Sequence, residues 1–185
     1  MQEISLNILD IVQNSIRAGA TLIEVSVCEN IPEDVFSFVV KDNGCGMSEE
    51  MIKKVMDPFV TTRTTRKVGL GISLLKAAAN LAGGDVTIES KEGVGTSLTA
   101  TFSHKHIDRQ PLGDIGAVMV SLISMNPTID FVYTHLYNEK EFTLDTRELR
   151  MVLENVSLGE PSVAKWIGEY ISDGLAEIYG GVDIV

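Results

Sequence analysis

Cysteine is scarce in this chain of 185 residues: Cys28 and Cys45 are the only two. They offer neither the repeated spacing of a disulfide framework nor the clustered thiols of a zinc site, and both are expected to be free thiols in a reducing compartment. Basic charge is scarce as well. Fifteen Lys and Arg stand against 26 Asp and Glu, for a formal net charge of -11, and a sequence pI of about 4.6 argues against a nucleic-acid backbone as the main partner. Long apolar runs are missing: the longest weakly polar stretch, Ile115 to Met125, falls short of the roughly 20 residues that span a bilayer. The start, Met-Gln-Glu, has no basic segment followed by an apolar one, so no signal peptide is expected. A cytoplasmic protein without a membrane segment is the expectation.

What the chain does have begins at Asp42. Asp42 to Met47 reads Asp-Asn-Gly-Cys-Gly-Met directly after the apolar run Val35 to Val40. An aspartate at a strand end can accept a hydrogen bond from an exocyclic amino group, and Gly44 and Gly46 carry no side chain to keep a flat base from the main chain. Downstream, Gly69-Leu70-Gly71 opens a helical pattern, where free backbone N–H groups favour polyphosphate. Each feature alone is ordinarily a turn, so the case rests on the residues around them. Upstream, Leu6, Leu9, Val12 and Ile16 form an apolar helical stripe, and Asp10 and Asn14, four residues apart, project from one face. Asn14 borders the stripe, where an amide needs a partner; a hard cation such as magnesium, which takes oxygen ligands and keeps several waters, provides one. The plainer reading of this pair is a solvated polar face.

These residues, in this order, resemble the GHKL ATPases, whose ATP-binding module is shared by histidine kinases, gyrase B, MutL and a heat-shock chaperone. The helix through Ala20 followed by Thr21-Leu-Ile-Glu-Val is most similar to the first motif of MutL proteins. Asp57-Pro-Phe59-Val-Thr-Thr-Arg63 and Gly69-Leu-Gly71-Ile-Ser-Leu-Leu resemble the later boxes of histidine kinases. The resemblance covers about Met1 to Phe102. It implies that Asn14 holds the magnesium bridging the phosphates and that Asp42 binds the adenine amino group with help from Thr96. Gly44, Gly46 and Met47 would then shape the base pocket, and Arg63, Lys67, Gly69, Leu70 and Gly71 would line the phosphates.

The chain departs from the family at one position. Hydrolysing members carry a glutamate four residues before the magnesium asparagine, and here that position is Asp10. The carboxylate is withdrawn by one methylene, and catalysis responds to displacements of about 1 Å. Asp10 is therefore expected either to support slow hydrolysis or to act as general base toward a protein hydroxyl. Between Phe59 and Gly69 the chain is polar and basic, Val-Thr-Thr-Arg-Thr-Thr-Arg-Lys-Val, and reads as a lid from Thr61 to Val68. Its Arg63, Arg66 and Lys67 would neutralise phosphate oxygens and the charge of the transition state.

Periodicity predicts helices at Ser5 to Ala18, Glu49 to Met56 and Gly71 to Ala82. Strands are predicted near Ile23 to Cys28, Val35 to Lys41, Val86 to Ser90 and Ser97 to Phe102. The order suits a two-layer α/β sandwich with a mixed sheet, and residues 1–103 are expected to form this ATPase domain. Ser103 to Pro111 reads as a linker. Residues 112–185 read as a small α/β domain, with a helix from Leu112 to Met125, a hairpin around Asn138-Glu139-Lys140, a helix capped by Asp145 and a last helix opened by Pro161. His135 is expected to be a satisfied, half-buried histidine, and Trp166 and Tyr170 are residues of the kind that anchor interfaces. No segment is expected to precede the ATP module to supply dimerisation helices. The leading expectation is a stand-alone ATP- and magnesium-binding protein of histidine-kinase or anti-sigma-kinase type that phosphorylates or regulates a partner protein. The alternatives are a slow ATPase switch controlling homodimer formation or partner binding, and a non-catalytic interaction protein.

Overall fold

The computed structural model describes residues 3–56 and 70–180. The first helix, α1 (Ile4–Arg17), puts Ile4, Ile8, Ile11, Val12 and Ser15 into the interior. Of the predicted stripe, Val12 is buried and Leu9 and Ile16 pack against the core, while Leu6 is 43% exposed, because the isoleucines four apart at positions 4 and 8 shift the helical phase. The hairpin β1 (Leu22–Asn30) and β2 (Val35–Asp42) follows, then α2 (Glu49–Met56) and α3 (Leu70–Leu81), then the hairpin β3 (Val86–Lys91) and β4 (Gly95–Ser103). The remainder supplies α4 (Ile115–Met125), β5 (Asp130–Tyr137), β6 (Lys140–Asp145), α5 (Thr146–Leu153) and α6 (Pro161–Tyr179).

The strands form one six-stranded mixed sheet in the order β3-β4-β2-β1-β5-β6. All neighbours are antiparallel except β1 and β5, which run parallel from Leu22 opposite Asp130 to Glu29 opposite Tyr137. Alternation along each strand sends Phe36, Phe38, Val40, Leu98, Phe102, Phe131 and Tyr133 to one face, where they are buried. Helices α1, α3, α4 and α6 pack on that side. The opposite face carries Ser26, Ser37, Thr99 and Thr134, only half-buried. The fold is thus a two-layer α/β sandwich with a mixed sheet. The segment after 112 adds its strands to this sheet, and its buried residues are continuous with those of the first hundred.

The connection from Ser103 to Pro111, read above as a linker, is pinned. Ser103 Oγ donates to Asp34 Oδ2 at 2.7 Å, the Lys105 N–H to Asp34 Oδ1 at 2.8 Å, and the Arg109 guanidinium lies 5.1 Å from the Phe36 ring centre. The carbonyls of Pro111 and Leu112 accept the N–H groups of Ile4 and Ser5 at 2.9 and 2.8 Å, satisfying donors that a helix start leaves free. This use of residues 111–112 explains why α4 begins at Ile115 rather than Leu112. Asp114 is its N-cap, accepting from the Ala117 N–H at 2.8 Å.

His135 is fully buried, not half-buried as expected. Its Nδ1 lies 2.7 Å from the Tyr133 hydroxyl and its Nε2 3.1 Å from Glu29 Oε1. Tyr179, at the end of α6, donates to the same carboxylate, and His104 Nε2 lies 3.2 Å from its other oxygen. One carboxylate therefore ties the end of β1 to β5, to α6 and to the connection at His104.

Candidate functional site

The opposite end of the sheet holds the site. In the register Ser90 faces Thr96, Thr96 faces Asp42 and Asp42 faces Ile23. Paired residues share a face, so the three polar side chains line up on the helix side, beside buried Ile23. Asp42 is the last residue of β2, and both carboxylate oxygens are held. Ser15 Oγ, from the sheet-facing side of α1, donates to Oδ2 at 2.6 Å, and the Gly44 N–H donates to Oδ1 at 2.9 Å. A carboxylate has further lone pairs, so it can still accept from a ligand.

The glycine box is built by close backbone approach. At Gly44 a Cβ would stand 2.9 Å from both the Cβ and the carbonyl oxygen of Ala18, and the Cys45 N–H donates to that carbonyl at 2.9 Å. The box is thereby laid against the C-terminal end of α1. Gly46 has φ +68°, and a Cβ there would meet the Lys91 carbonyl at 2.0 Å, so neither the backbone angle nor the space admits a side chain. The Met47 N–H donates to Ser90 Oγ at 2.8 Å, fastening the far end of the box to β3. Asn43 closes the near end: its Oδ1 accepts the N–H groups of Thr21 and Leu22 at 2.8 and 3.0 Å.

Asp10 and Asn14 lie on one side of α1, Asp10 exposed and Asn14 half-buried. Asp10 Oδ2 lies 3.9 Å from where a Cβ would stand on Gly71, so its carboxylate faces the first turn of α3. The Asn14 side-chain oxygen accepts from the Arg17 guanidinium at 3.0 Å. The partner that Asn14 needs is thus present within its own helix.

The structure therefore brings together Asp10, Asn14, Asp42, Gly44, Gly46, Met47, Gly71 and Thr96 along α1, the ends of β2 and β4, and the start of α3. Leu70 enters as the first residue of α3. Arg63, Lys67 and Gly69, with the lid from Thr61 to Val68 and the box from Asp57, lie outside the described residues. Sequence reasoning missed Ser15, Ser90 and Gly95. Ser15 was detectable as a hydroxyl on the apolar side of α1. Gly95, with φ +138°, leaves no room for a Cβ, which would stand 2.0 Å from the Asp42 carbonyl oxygen; only the pairing of β2 with β4 reveals that contact. Among the described residues no cluster of three His, Cys, Asp or Glu side chains suits a metal ion, and no helix is long and apolar enough to cross a membrane.

Residues 2–106 match the family described as histidine kinase-, DNA gyrase B-, and HSP90-like ATPase. The chain is 30% identical over 131 residues to the hybrid signal transduction histidine kinase E of Dictyostelium discoideum, covering 66% of this chain and 8% of that protein. It is 36% identical over 85 residues to the sensor histidine kinase WalK of Bacillus subtilis, covering 43% of this chain and 14% of that one. The matched segments are small fractions of these kinases. The crystal structure of the N-terminal domain of a DNA repair protein superposes with a TM-score of 0.52 at 16% identity, covering 78% of this chain and 53% of that one, a likeness of fold alone. The family match spans more than half of the chain and contains the whole Asp42 row, the glycine box and both polar residues of α1. This protein belongs to the histidine kinase-, DNA gyrase B- and HSP90-like ATPases.

Proposed function

We propose that the chain binds Mg-ATP between α1, the Asp42 box and the start of α3, and uses it to phosphorylate or regulate a separate protein, in the manner of a histidine-kinase or anti-sigma-kinase module. The observation that carries this reading is the convergence of Asp10 on Gly71. One carboxylate, one helical turn before Asn14, faces the helix start at which phosphate is favoured, while Asp42 holds the other end of the site for a base. Asp10 is then the general base or the group that orients the attacking oxygen.

Asn14 fits a magnesium ion by the chemistry of its donor: its neutral amide oxygen, on the same side of the helix as Asp10, accepts from Arg17 at 3.0 Å but keeps a second lone pair for a hard cation that keeps water and phosphate ligands. When bound, such an ion would neutralise phosphate charge. Arg63 and Lys67 are proposed as further phosphate contacts. The partner is proposed to dock on the C-terminal third, where Trp166 and Tyr170 stack at 5.2 Å with planes 7° apart while 47% and 41% exposed. The formal net charge of -11 supports a protein partner rather than a nucleic acid.

Calorimetry tests the site. Asp42→Asn is expected to weaken Mg-ATP binding by about 1 to 3 kcal/mol, because one of the two accepting oxygens becomes an NH2 donor that faces the donors of Ser15 or Gly44 or the adenine amino group itself. Asn14→Ala is expected to spare magnesium-free binding and weaken the magnesium effect. If both variants bind Mg-ATP like the parent, the assignment is wrong. Labelled ATP with candidate partners then separates transfer to protein from release of phosphate. A slow ATPase switch, with dimerisation or partner binding as its output, is the second reading, and Asp10 in place of the family's glutamate is what favours it.

A further inference from the structure

The hydroxyl protons of the Asp42 row have preferred directions. Ser90 Oγ lies 2.8 Å from the Met47 N, 2.9 Å from the Gly95 carbonyl oxygen and 2.8 Å from Thr96 Oγ1. The Met47 N–H can only donate and the Gly95 carbonyl can only accept. If Ser90 donates to Gly95, it can accept from both Met47 and Thr96, and three hydrogen bonds form. If Ser90 donates to Thr96 instead, only two form. The fuller arrangement spends the Thr96 proton inside the protein and leaves that oxygen as an acceptor toward the site. Ser15 does the corresponding work on the neighbouring residue. Buried to 3% exposure, it donates its proton to Asp42 Oδ2 at 2.6 Å, and with the Gly44 N–H on Oδ1 it holds the carboxylate in place as an acceptor.

We propose that Ser15 and Ser90 are positioning residues that set the base selectivity of the nucleotide site, each holding its neighbour as a hydrogen-bond acceptor. Asp42 and Thr96 are adjacent across two paired strands, so the site presents two acceptors side by side. An exocyclic amino group offers two hydrogens to such a pair, whereas a keto oxygen in that place meets two acceptors and no donor. A site built this way takes a 6-amino purine and rejects a 6-keto purine, because the keto base leaves buried polar groups unpaired. The inference rests on the ATP reading given above and adds the residues that enforce it.

Titration of the parent, Ser15→Ala and Ser90→Ala with ATP and with inosine triphosphate tests the proposal. The parent is expected to prefer ATP by about 100-fold or more. Ser90→Ala is expected to lower that ratio about 10-fold, chiefly by a gain for inosine triphosphate, because the freed Thr96 hydroxyl can then donate to the keto oxygen. Ser15→Ala is expected to weaken ATP about 10-fold and inosine triphosphate less. A merely structural role would weaken both nucleotides together and leave the ratio alone. Thr96→Val, close in volume, removes both proton and acceptor and must also lower the ratio, which keeps the test open if Ser90→Ala does not fold. ATP binding with the parent's ratio in all three variants overturns the positioning role and leaves the ATP reading standing. Failure of the parent to bind either nucleotide overturns both.

Discussion

Under the function proposed above, the reach of Asp10, one methylene shorter than a glutamate, sets the rate of the chemistry. Its carboxylate is exposed and faces the Gly71 backbone, so it contributes little to packing and its replacement leaves the fold intact. Asp10→Asn is expected to keep ATP affinity and lower turnover by roughly 100-fold or more. Asp10→Glu is expected to match or exceed the parent's hydrolysis if reach is limiting, and a phosphate-release assay reads both. Unchanged turnover in Asp10→Asn would remove this residue from the mechanism. At the other end of β1, Glu29 is a structural counterpart. Burial pushes its carboxyl up, but the hydrogen bonds from His135, Tyr179 and His104 outweigh burial and hold its pKa below the ordinary glutamate value. A carboxyl depressed in the folded state stabilises the fold above its unfolded pKa, and that contribution fades as pH falls through the lower, folded value. Denaturant titrations are therefore expected to show stability falling from about pH 4 downward, with the loss shallower in Glu29→Gln. Glu29→Ala at neutral pH is expected to cost about 3 kcal/mol, since it strands buried donors from β5 and α6.

At the scale of elements, α1 is held at both ends by what it must position. Its first N–H groups are tied to residues 111 and 112, Ser15 is tied to Asp42, and its C-terminal turn supports the glycine box through the Ala18 carbonyl. The helix that carries Asp10 and Asn14 is thus braced against the strand that carries Asp42. Helix α6 is seated by a close approach: a Cβ on Gly174 would stand 2.1 Å from the Phe142 ring, and Phe142 is itself nearly buried. Gly174→Val is expected to force ring and helix apart and cost about 1 to 3 kcal/mol in chemical denaturation. Stability like the parent's would mean that Phe142 yields freely. Trp166, stacked on Tyr170 but half-exposed, is expected to tolerate replacement by Ala with a smaller loss, while partner binding, if this face carries it, falls sharply.

For the whole molecule, the parallel pairing of β1 with β5 means that the C-terminal third covers an edge of β1, the strand paired with the one that carries Asp42. The buried residues of α4, β5 and α6 belong to the same core as those of α1 and β2. Shared sheet and shared core predict a single cooperative thermal transition, with coincident loss of near- and far-ultraviolet dichroism. Two separated transitions in calorimetry would show that residues 1–103 and 112–185 fold as independent domains. A fragment ending at residue 110 would leave β1 with an unpaired edge and uncovered apolar residues, and is expected to aggregate rather than remain a stable monomer.

The local pieces follow from local physics and were readable in the chain. Alternation of apolar residues marked the strands, the Asp42 box marked the turn after β2, and Asp10 with Asn14 shared a helical face by spacing alone. Such signals act over a few residues, so order along the chain suffices to find them. The contacts that join these pieces are not local. Helical phase in α1 was settled by which side met the sheet, which turned Leu6 outward. Parallel pairing of β1 with β5 brings together residues more than a hundred positions apart, and no periodicity reports it. Ser15 on Asp42 and Ser90 on Thr96 depend in the same way on which helix lies over which strand, and at what register. The sequence by itself determined which residues are suited to nucleotide chemistry. Only the tertiary structure decided which of their protons and lone pairs are already taken by neighbours within the protein, because hydrogen-bond direction is set by partners that the chain order does not reveal.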